Sequence, residues 1–174
     1  MAEDRFVEMR VQGMTIDPFT NSPIVVLKDL NDEQAVPIWI GLVEASAIAM
    51  ELEKVKLPRP MTHDLLKNVI HELGGKVVRV EVCDLRDNTF FGLLHIDVNG
   101  EVTKVDSRPS DAIALSLRTD APIFVAEHVI EESRAVKDVE GEGDDELSDE
   151  ERHKKELIDM LEKMDPEDFG KYKM

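Results

Sequence analysis

Between residues 6 and 16 the apolar positions are Phe6, Met9, Val11, Met14 and Ile16, an alternation that slips at Gly13. This predicts a strand with a bend or bulge at the glycine. Asp17-Pro18-Phe19-Thr20-Asn21-Ser22-Pro23 is dense in turn formers, and Ile24-Val25-Val26-Leu27 then reads as a short buried strand. Asn31-Asp32-Glu33 turns the chain into a third strand over residues 35–40. Pro37 cannot donate to a ladder there, so it marks an edge, a strand start or a bulge. Residues 42–55, rich in Ala, Leu, Met and Glu, predict a helix that stops before Pro58 and Pro60.

Thr62 is a candidate N-cap for a second helix whose apolar stripe is Leu65, Leu66, Val69, Ile70 and Leu73, stopped by Gly74-Gly75. In residues 76–85, Val78, Val80 and Val82 alternate with Arg79 and Glu81, as in a half-buried strand. Asp87-Asn88 links this strand to another over 89–98, and Asn99-Gly100 is a type I′ hairpin signal leading into 101–105. Pro109 falls near the first turn of a helix over 110–118, where its missing N–H costs nothing, and residues 121–129 predict a last strand. The order is βββα followed by αβββαβ. Ala47-Ile48-Ala49 and Ala112-Ile113-Ala114 stand 65 residues apart, and at that offset Ile40 lies over Val105 and Leu52 over Leu117. The expected fold is α+β: a curved, barrel-like mixed sheet from two duplicated βββα-type halves, helices packed on it, and a C-terminal helical tail.

Composition changes after that domain, which spans residues 1–130. Residues 131–147 read as an acidic linker around Glu140-Gly141-Glu142-Gly143-Asp144-Asp145-Glu146. Residues 148–174 read as an amphipathic helix and tail. Ser148 and Glu151 form a capping box, Leu157, Ile158, Leu161 and Met164 a narrow apolar stripe, Asp165-Pro166 the end, and Phe169 and Tyr172 further anchors. Such a helix either docks on its own domain or serves a protein partner or a homo-oligomer. Its polar face is not basic, which argues against a membrane. No apolar run approaches the roughly 18 residues of a membrane span and the N-terminus lacks a signal-like apolar core, so a cytoplasmic location is expected. Cys83 is the single cysteine, which excludes an intrachain disulfide. The formal charge is −17, with 17 acids and 8 bases in residues 131–174 against 21 and 13 before them. Such a field repels polyphosphate at long range, so nucleic acid would need a local basic patch or a divalent metal.

The polar residues that could carry chemistry are Glu44, His63, Asp64, Asp84, Asp87, His95, Asp106, Ser107, Arg108, Ser110 and Asp111. Asp106 and Asp111 flank a predicted helix start, where the dipole and free N–H groups favour anions. As structure, Ser107 or Ser110 would cap the helix, Asp111 would neutralise its dipole, and Arg108 would form a salt bridge. As a site, Asp106 and Asp111, with Asp64, would ligate Mg²⁺ or Mn²⁺ while Arg108 and Ser107 hold a phosphate and His63 serves as base or ligand. His63 and His71 lie near one face of their helix without a third ligand. Cys83 reads as packing, and Trp39 as half-buried packing or a binding platform. Metalloprotease, P-loop, nucleophile-elbow and dinucleotide motifs are absent from the sequence.

Four segments, in order, carry a resemblance. They are Ala35-Val36-Pro37-Ile38-Trp39-Ile40-Gly41; Glu44-Ala45 with Ala47-Ile48-Ala49; Arg59-Pro60-Met61-Thr62-His63-Asp64-Leu65; and residues 105–115, which contain Asp106-Ser107-Arg108-Pro109-Ser110-Asp111. Over about residues 6–130 the chain resembles the bifunctional nuclease family, whose domain bacterial and plant members share. The resemblance implies a nuclease acting on DNA and RNA, and a fold similar to the duplicated α+β arrangement. Carried over residue by residue, it makes His63, Asp64, Asp106, Ser107, Arg108, Ser110 and Asp111 the candidate site, with Glu44 beside them. The competing expectation is a non-enzymatic regulatory or ligand-binding domain in which the same motifs are structural.

Overall fold

A computed structural model describes residues 5–134 and 149–163. Among them lie seven strands and five helices: β1 (Phe6–Ile16), β2 (Pro23–Asp29), β3 (Ala35–Trp39), α1 (Leu42–Leu52), α2 (Thr62–Glu72), β4 (Gly75–Arg86), β5 (Thr89–Val98), β6 (Glu101–Ser107), α3 (Pro109–Thr119), β7 (Ile123–Ala126), α4 (Glu127–Arg134) and α5 (Asp149–Lys163). The fold is α+β, and the predicted repetition is visible in its topology. The sheet runs β3-β2-β1-β7-β4-β5-β6, so two antiparallel three-strand meanders flank β7. Each is followed by a helix, α1 or α3. β7 pairs antiparallel with β1 and parallel with β4, which places the meanders in opposite senses.

The sheet is mixed and open, with β3 and β6 at its edges. Strong curvature still brings one core together. β3 and β4 stand four places apart, about 19 Å along a flat sheet, yet α4, roughly 12 Å long, touches both. Pro37 sits in edge strand β3, where its lack of an N–H is tolerated.

Bulges keep the apolar side chains on one face. In β1 the register shifts between Val11 and Gly13, which flips the alternation so that Met9 and Met14 both enter the core. In β4 a shift between Val77 and Arg79 does the same. Val77, Val80 and Val82 are its buried valines, and Val78 occupies the bulge rather than the inward position its alternation predicts. Both hairpin turns predicted from sequence are present, with positive φ at Asp87, Asn88, Asn99 and Gly100.

Several details differ from the sequence reading, among them that α1 ends at Leu52 rather than residue 55. Thr62 is the first helical residue of α2 and Met61 its N-cap, because Asp64 reaches back to the Met61 N–H (2.9 Å). The last strand ends at Ala126, and Val129 and Ile130 turn inward on α4, which occupies residues assigned to the end of the strand and the start of the linker. The stripe of α2 does not bury as a unit: Ile70 packs on the core, while Leu65, Leu66, Val69 and Leu73 stay exposed.

α5 docks on its own domain. Leu157 and Leu161 pack against Ile24, Val26 and Ala35, with Trp39 at the margin, on the face of β2 and β3 turned away from the main core. This explains why every residue of β2 is buried. The His153 ring stacks on Phe19 at 3.9 Å, and Arg134 joins Glu162 at 3.2 Å. Trp39 is half-buried packing with a polar anchor: its indole N–H donates to Asp17 (2.8 Å). Ser148, Met164, Asp165-Pro166, Phe169, Tyr172 and the acidic run 140–146 lie outside the described residues.

Leu161→Ala should remove about 3 kcal/mol from this docking. The expected result is roughly 100-fold faster hydrogen exchange in α5 with little change in the amides of β4 and β5. Equal acceleration throughout would mean that α5 belongs to the global folding unit.

Candidate functional site

Three helices each carry a carboxylate at the third residue of their first turn: Glu44 in α1, Asp64 in α2 and Asp111 in α3. An acid there complements the local dipole. Here the acids also connect the helices. Arg108, the N-cap residue of α3, donates from Nε to Asp111 Oδ2 (2.8 Å) and from Nη1 to Glu44 Oε1 (2.7 Å). A longer Nη2 contact reaches Asp111 Oδ1 (3.3 Å). His63 Nε2 lies 2.9 Å from the same Asp111 Oδ1. Glu44, His63, Arg108 and Asp111 therefore form one cluster at three helix N-termini. Arg108 is its exposed member, with 65% of its side chain open, whereas His63 retains 13%.

Burial alone would raise the Asp111 carboxyl, but the hydrogen bonds from Arg108 and His63 outweigh it and hold the group below the ordinary carboxylate range. Glu44 is lowered by its own backbone N–H and by Arg108. The hydrogen bonds it donates to Asp111 and Glu44 raise the Arg108 guanidinium further. An ionised Asp111 can only accept, so the proton of a neutral His63 sits on Nε2, leaving Nδ1 as the basic nitrogen. Two carboxylates outnumber one guanidinium, and the converging helix ends, each about half a unit positive, offset the difference.

Asp64 belongs to a neighbouring arrangement that centres on a residue the sequence reading did not single out. Arg118, 4% exposed, donates Nε to Asp64 Oδ1 (2.7 Å), Nη1 to the Ala114 carbonyl (2.9 Å) and Nη2 to the Ala47 carbonyl (3.0 Å). One buried guanidinium thus ties α1, α2 and α3 together. Its only sequence signal was a basic residue in the last turn of a helix. The Met61 N–H lowers the Asp64 carboxyl against the effect of burial, and Arg118 adds to it.

Asp106 and Ser107 do not join the cluster. They end β6, and the helix starts at Pro109. Gly92 faces the α3 start, where an added Cβ would meet Pro109 N at 3.2 Å. Ser107 pairs with Gly92 and Asp106 with Leu93, so alternation turns Asp106 to the opposite face of the sheet. Neither Ser107 nor Ser110 caps α3 through its side chain; Ser110 is buried, and the Ser107 hydroxyl is buried without a hydrogen-bond partner among the described residues. The expected metal trio of Asp64, Asp106 and Asp111 is therefore not assembled. Among the described residues no three His, Cys, Asp or Glu side chains are grouped to hold an ion.

Other candidates fall elsewhere. His95 approaches Glu81 at 3.0 Å, Asp84 pairs with Arg86, Asp87 lies in a turn, and His71 is exposed near the end of α2. Burial pushes the Cys83 thiol up, which suits an unreactive packing role.

A sequence profile of the bifunctional nuclease domain matches residues 25–138, a span that holds the whole cluster and Arg118. An uncharacterized protein of Mycobacterium tuberculosis is 36% identical over 162 residues, covering 93% of this chain and 97% of that protein. Bifunctional nuclease 1 of Arabidopsis thaliana is 26% identical over 130 residues, covering 72% of this chain and 40% of its own length. Bifunctional nuclease 2 of Oryza sativa subsp. japonica is 26% identical over 125 residues, covering 70% and 38% respectively.

Asp64→Asn should cost about 1–2 kcal/mol at neutral pH, because Arg118 stays buried while the one-third-exposed acid is already screened. Asp64 has a depressed folded pKa, so its contribution is present above the ordinary value of about 3.9 and lost as pH falls through the lower folded value. Thermal unfolding should show a gap between wild type and variant that is full above about pH 5 and closes in stronger acid.

Proposed function

The chain belongs to the bifunctional nuclease domain family, and on that premise we propose that it hydrolyses phosphodiester bonds of nucleic acid at the Glu44–His63–Arg108–Asp111 cluster. The single observation that carries this reading is the convergence of His63 and Arg108 on Asp111. Arg108 is exposed, and two of its five N–H donors remain after the three contacts to Asp111 and Glu44. Those donors suit a phosphate, whose two non-bridging oxygens match a guanidinium edge.

His63 Nδ1 takes the proton of the water that attacks phosphorus, Asp111 steadies and orients the imidazolium that forms, and the opposite P–O bond breaks with its oxygen taking a proton from solvent. Arg108 stabilises the charge that grows on the phosphate oxygens. Glu44 holds the guanidinium in place from the α1 side and acts as a positioning residue. Gly41 permits this, since a Cβ there would collide with the Glu44 carboxylate as it folds back over its own helix start. Among the described residues no three His, Cys, Asp or Glu side chains group to hold an ion, so Mg²⁺ or Mn²⁺ would need water and substrate oxygens beside one or two of these carboxylates.

A second reading is favoured by a specific observation: Arg108, Glu44, His63 and Asp111 pair with one another across three helices, as a structural lock would. Activity and stability separate the two. Purified protein should cleave RNA or single-stranded DNA, measured with and without Mg²⁺ or Mn²⁺. His63→Ala should lower the rate 10²–10⁴-fold, the range typical of a lost general base, and Arg108→Lys should lower it while retaining charge. Unfolding temperatures should move by only a few degrees. If both variants cleave as wild type does and only melt earlier, the cluster is a lock and the nuclease assignment at this site is wrong.

A further inference from the structure

One side of α2 faces the cluster through His63, and an adjoining side, one residue on at Asp64, faces a cleft of about 220 Å³. Arg59, Lys67, Asn68 and Arg118 line that cleft, with Val55, Leu57 and Met61 as its apolar wall. Lys67 and Asn68 also line a second cleft of about 440 Å³ farther along α2, beside His71 and Lys76. Lys67 and Asn68 line both, so the two clefts adjoin along the helix, which is about 16 Å long.

Charge in this groove runs against the charge of the chain. Its acids are already engaged, Glu51 with Lys54 (2.8 Å) and Asp64 with Arg118 (2.7 Å). Arg59, Lys67 and Lys76 form no ion pair among the described residues. A chain of net charge −17 therefore presents, along two adjoining clefts, three cations outside any ion pair among the described residues: Arg59 on the first, Lys67 on both and Lys76 on the second. A surface made only for solubility in so acidic a protein has no need of such a line.

We propose that this groove is the path of a single-stranded polynucleotide leaving the His63–Asp111–Arg108 cluster, with Arg59, Lys67 and Lys76 on successive phosphates. The inference rests on the nuclease reading above and specifies the substrate class. The first cleft is smaller than the roughly 300–1,000 Å³ of drug-sized sites, so it takes one base against Val55, Leu57 and Met61. A base becomes available to such a wall only when unpaired, and a groove one helix wide follows a single backbone. Exclusion of duplex follows from shape, while the local cations overcome the repulsion of the whole chain at short range.

The test is fluorescence anisotropy with a labelled 12-nucleotide oligothymidylate, using the full chain carrying His63→Ala to prevent cleavage, across 50–200 mM salt. Adding Arg59→Gln, Lys67→Gln and Lys76→Gln should weaken binding at least tenfold and reduce the magnitude of the salt slope by about 2, as expected for three lost phosphate contacts on a single strand. Unchanged affinity and slope, tighter binding of a duplex of equal length, or no binding before those three substitutions would each overturn the groove. None of these outcomes depends on hydrolysis. A chain that binds the strand but never cleaves it would keep the groove and remove the nuclease reading.

Discussion

The buried guanidinium of Arg118 is the contact on which the helical layer depends. A charge 4% exposed survives only where nearby acceptors replace its water. Here the Asp64 carboxylate comes from α2, the Ala47 carbonyl from α1 and the Ala114 carbonyl from α3 itself. Each acceptor belongs to a different helix, so satisfying the charge fixes all three together. His63 follows directly, since it precedes Asp64 in the chain and is carried to Asp111 by the same α2 placement. The exposed cluster around Arg108 is thus supported by a second arginine whose hydrogen bonds go to Asp64, Ala114 and Ala47 instead.

The sheet explains why the support is available. Two meanders in opposite senses about β7 present α1 and α3 to a shared core, where Ile48 and Ile113 are both fully buried. Repetition of a βββα unit therefore delivers two helices side by side. The third helix lies between the halves in sequence and contributes Ile70 to that core, leaving its groove-facing and outer sides uncommitted. A helix held by one apolar side chain and by the contacts of Asp64 with Arg118 and His63 with Asp111 can present polar groups without losing its place.

Much of the fold was legible because its signals were local. The Gly13 slip, the Asn99-Gly100 turn, Pro37 at an edge and the paired Ala-Ile-Ala helices each reflect a backbone constraint written within a few residues. The errors arose where tertiary contacts decide. Val78 alternates convincingly with Val80 and Val82, yet a bulge puts Val77 inward. The stripe of α2 has the right period, but the sheet offers it too little surface to cover. Of the site residues, His63, Arg108, Asp111 and Glu44 were legible as motif positions, while their meeting was not, because Glu44 and Arg108 are 64 residues apart. Asp106 misled for a simple reason: proximity in sequence to Asp111 suggested a shared site, and a strand that reverses its faces at every residue separated them.

The net charge requires a finer reading than its total suggests. Residues 131–174 carry nine of the seventeen excess negative charges, and much of that stretch lies outside the described residues. At physiological salt, exposed charges more than about 8 Å apart are largely screened, so a ligand near α2 responds to its immediate surroundings. Those surroundings are three cations outside any ion pair among the described residues and two acids already paired. The distant acids still act at longer range and at lower salt, where they slow the approach of any polyanion. Acidity of the whole chain and affinity for an anion in one groove are therefore compatible. Their balance sets how steeply binding depends on salt rather than whether binding can occur.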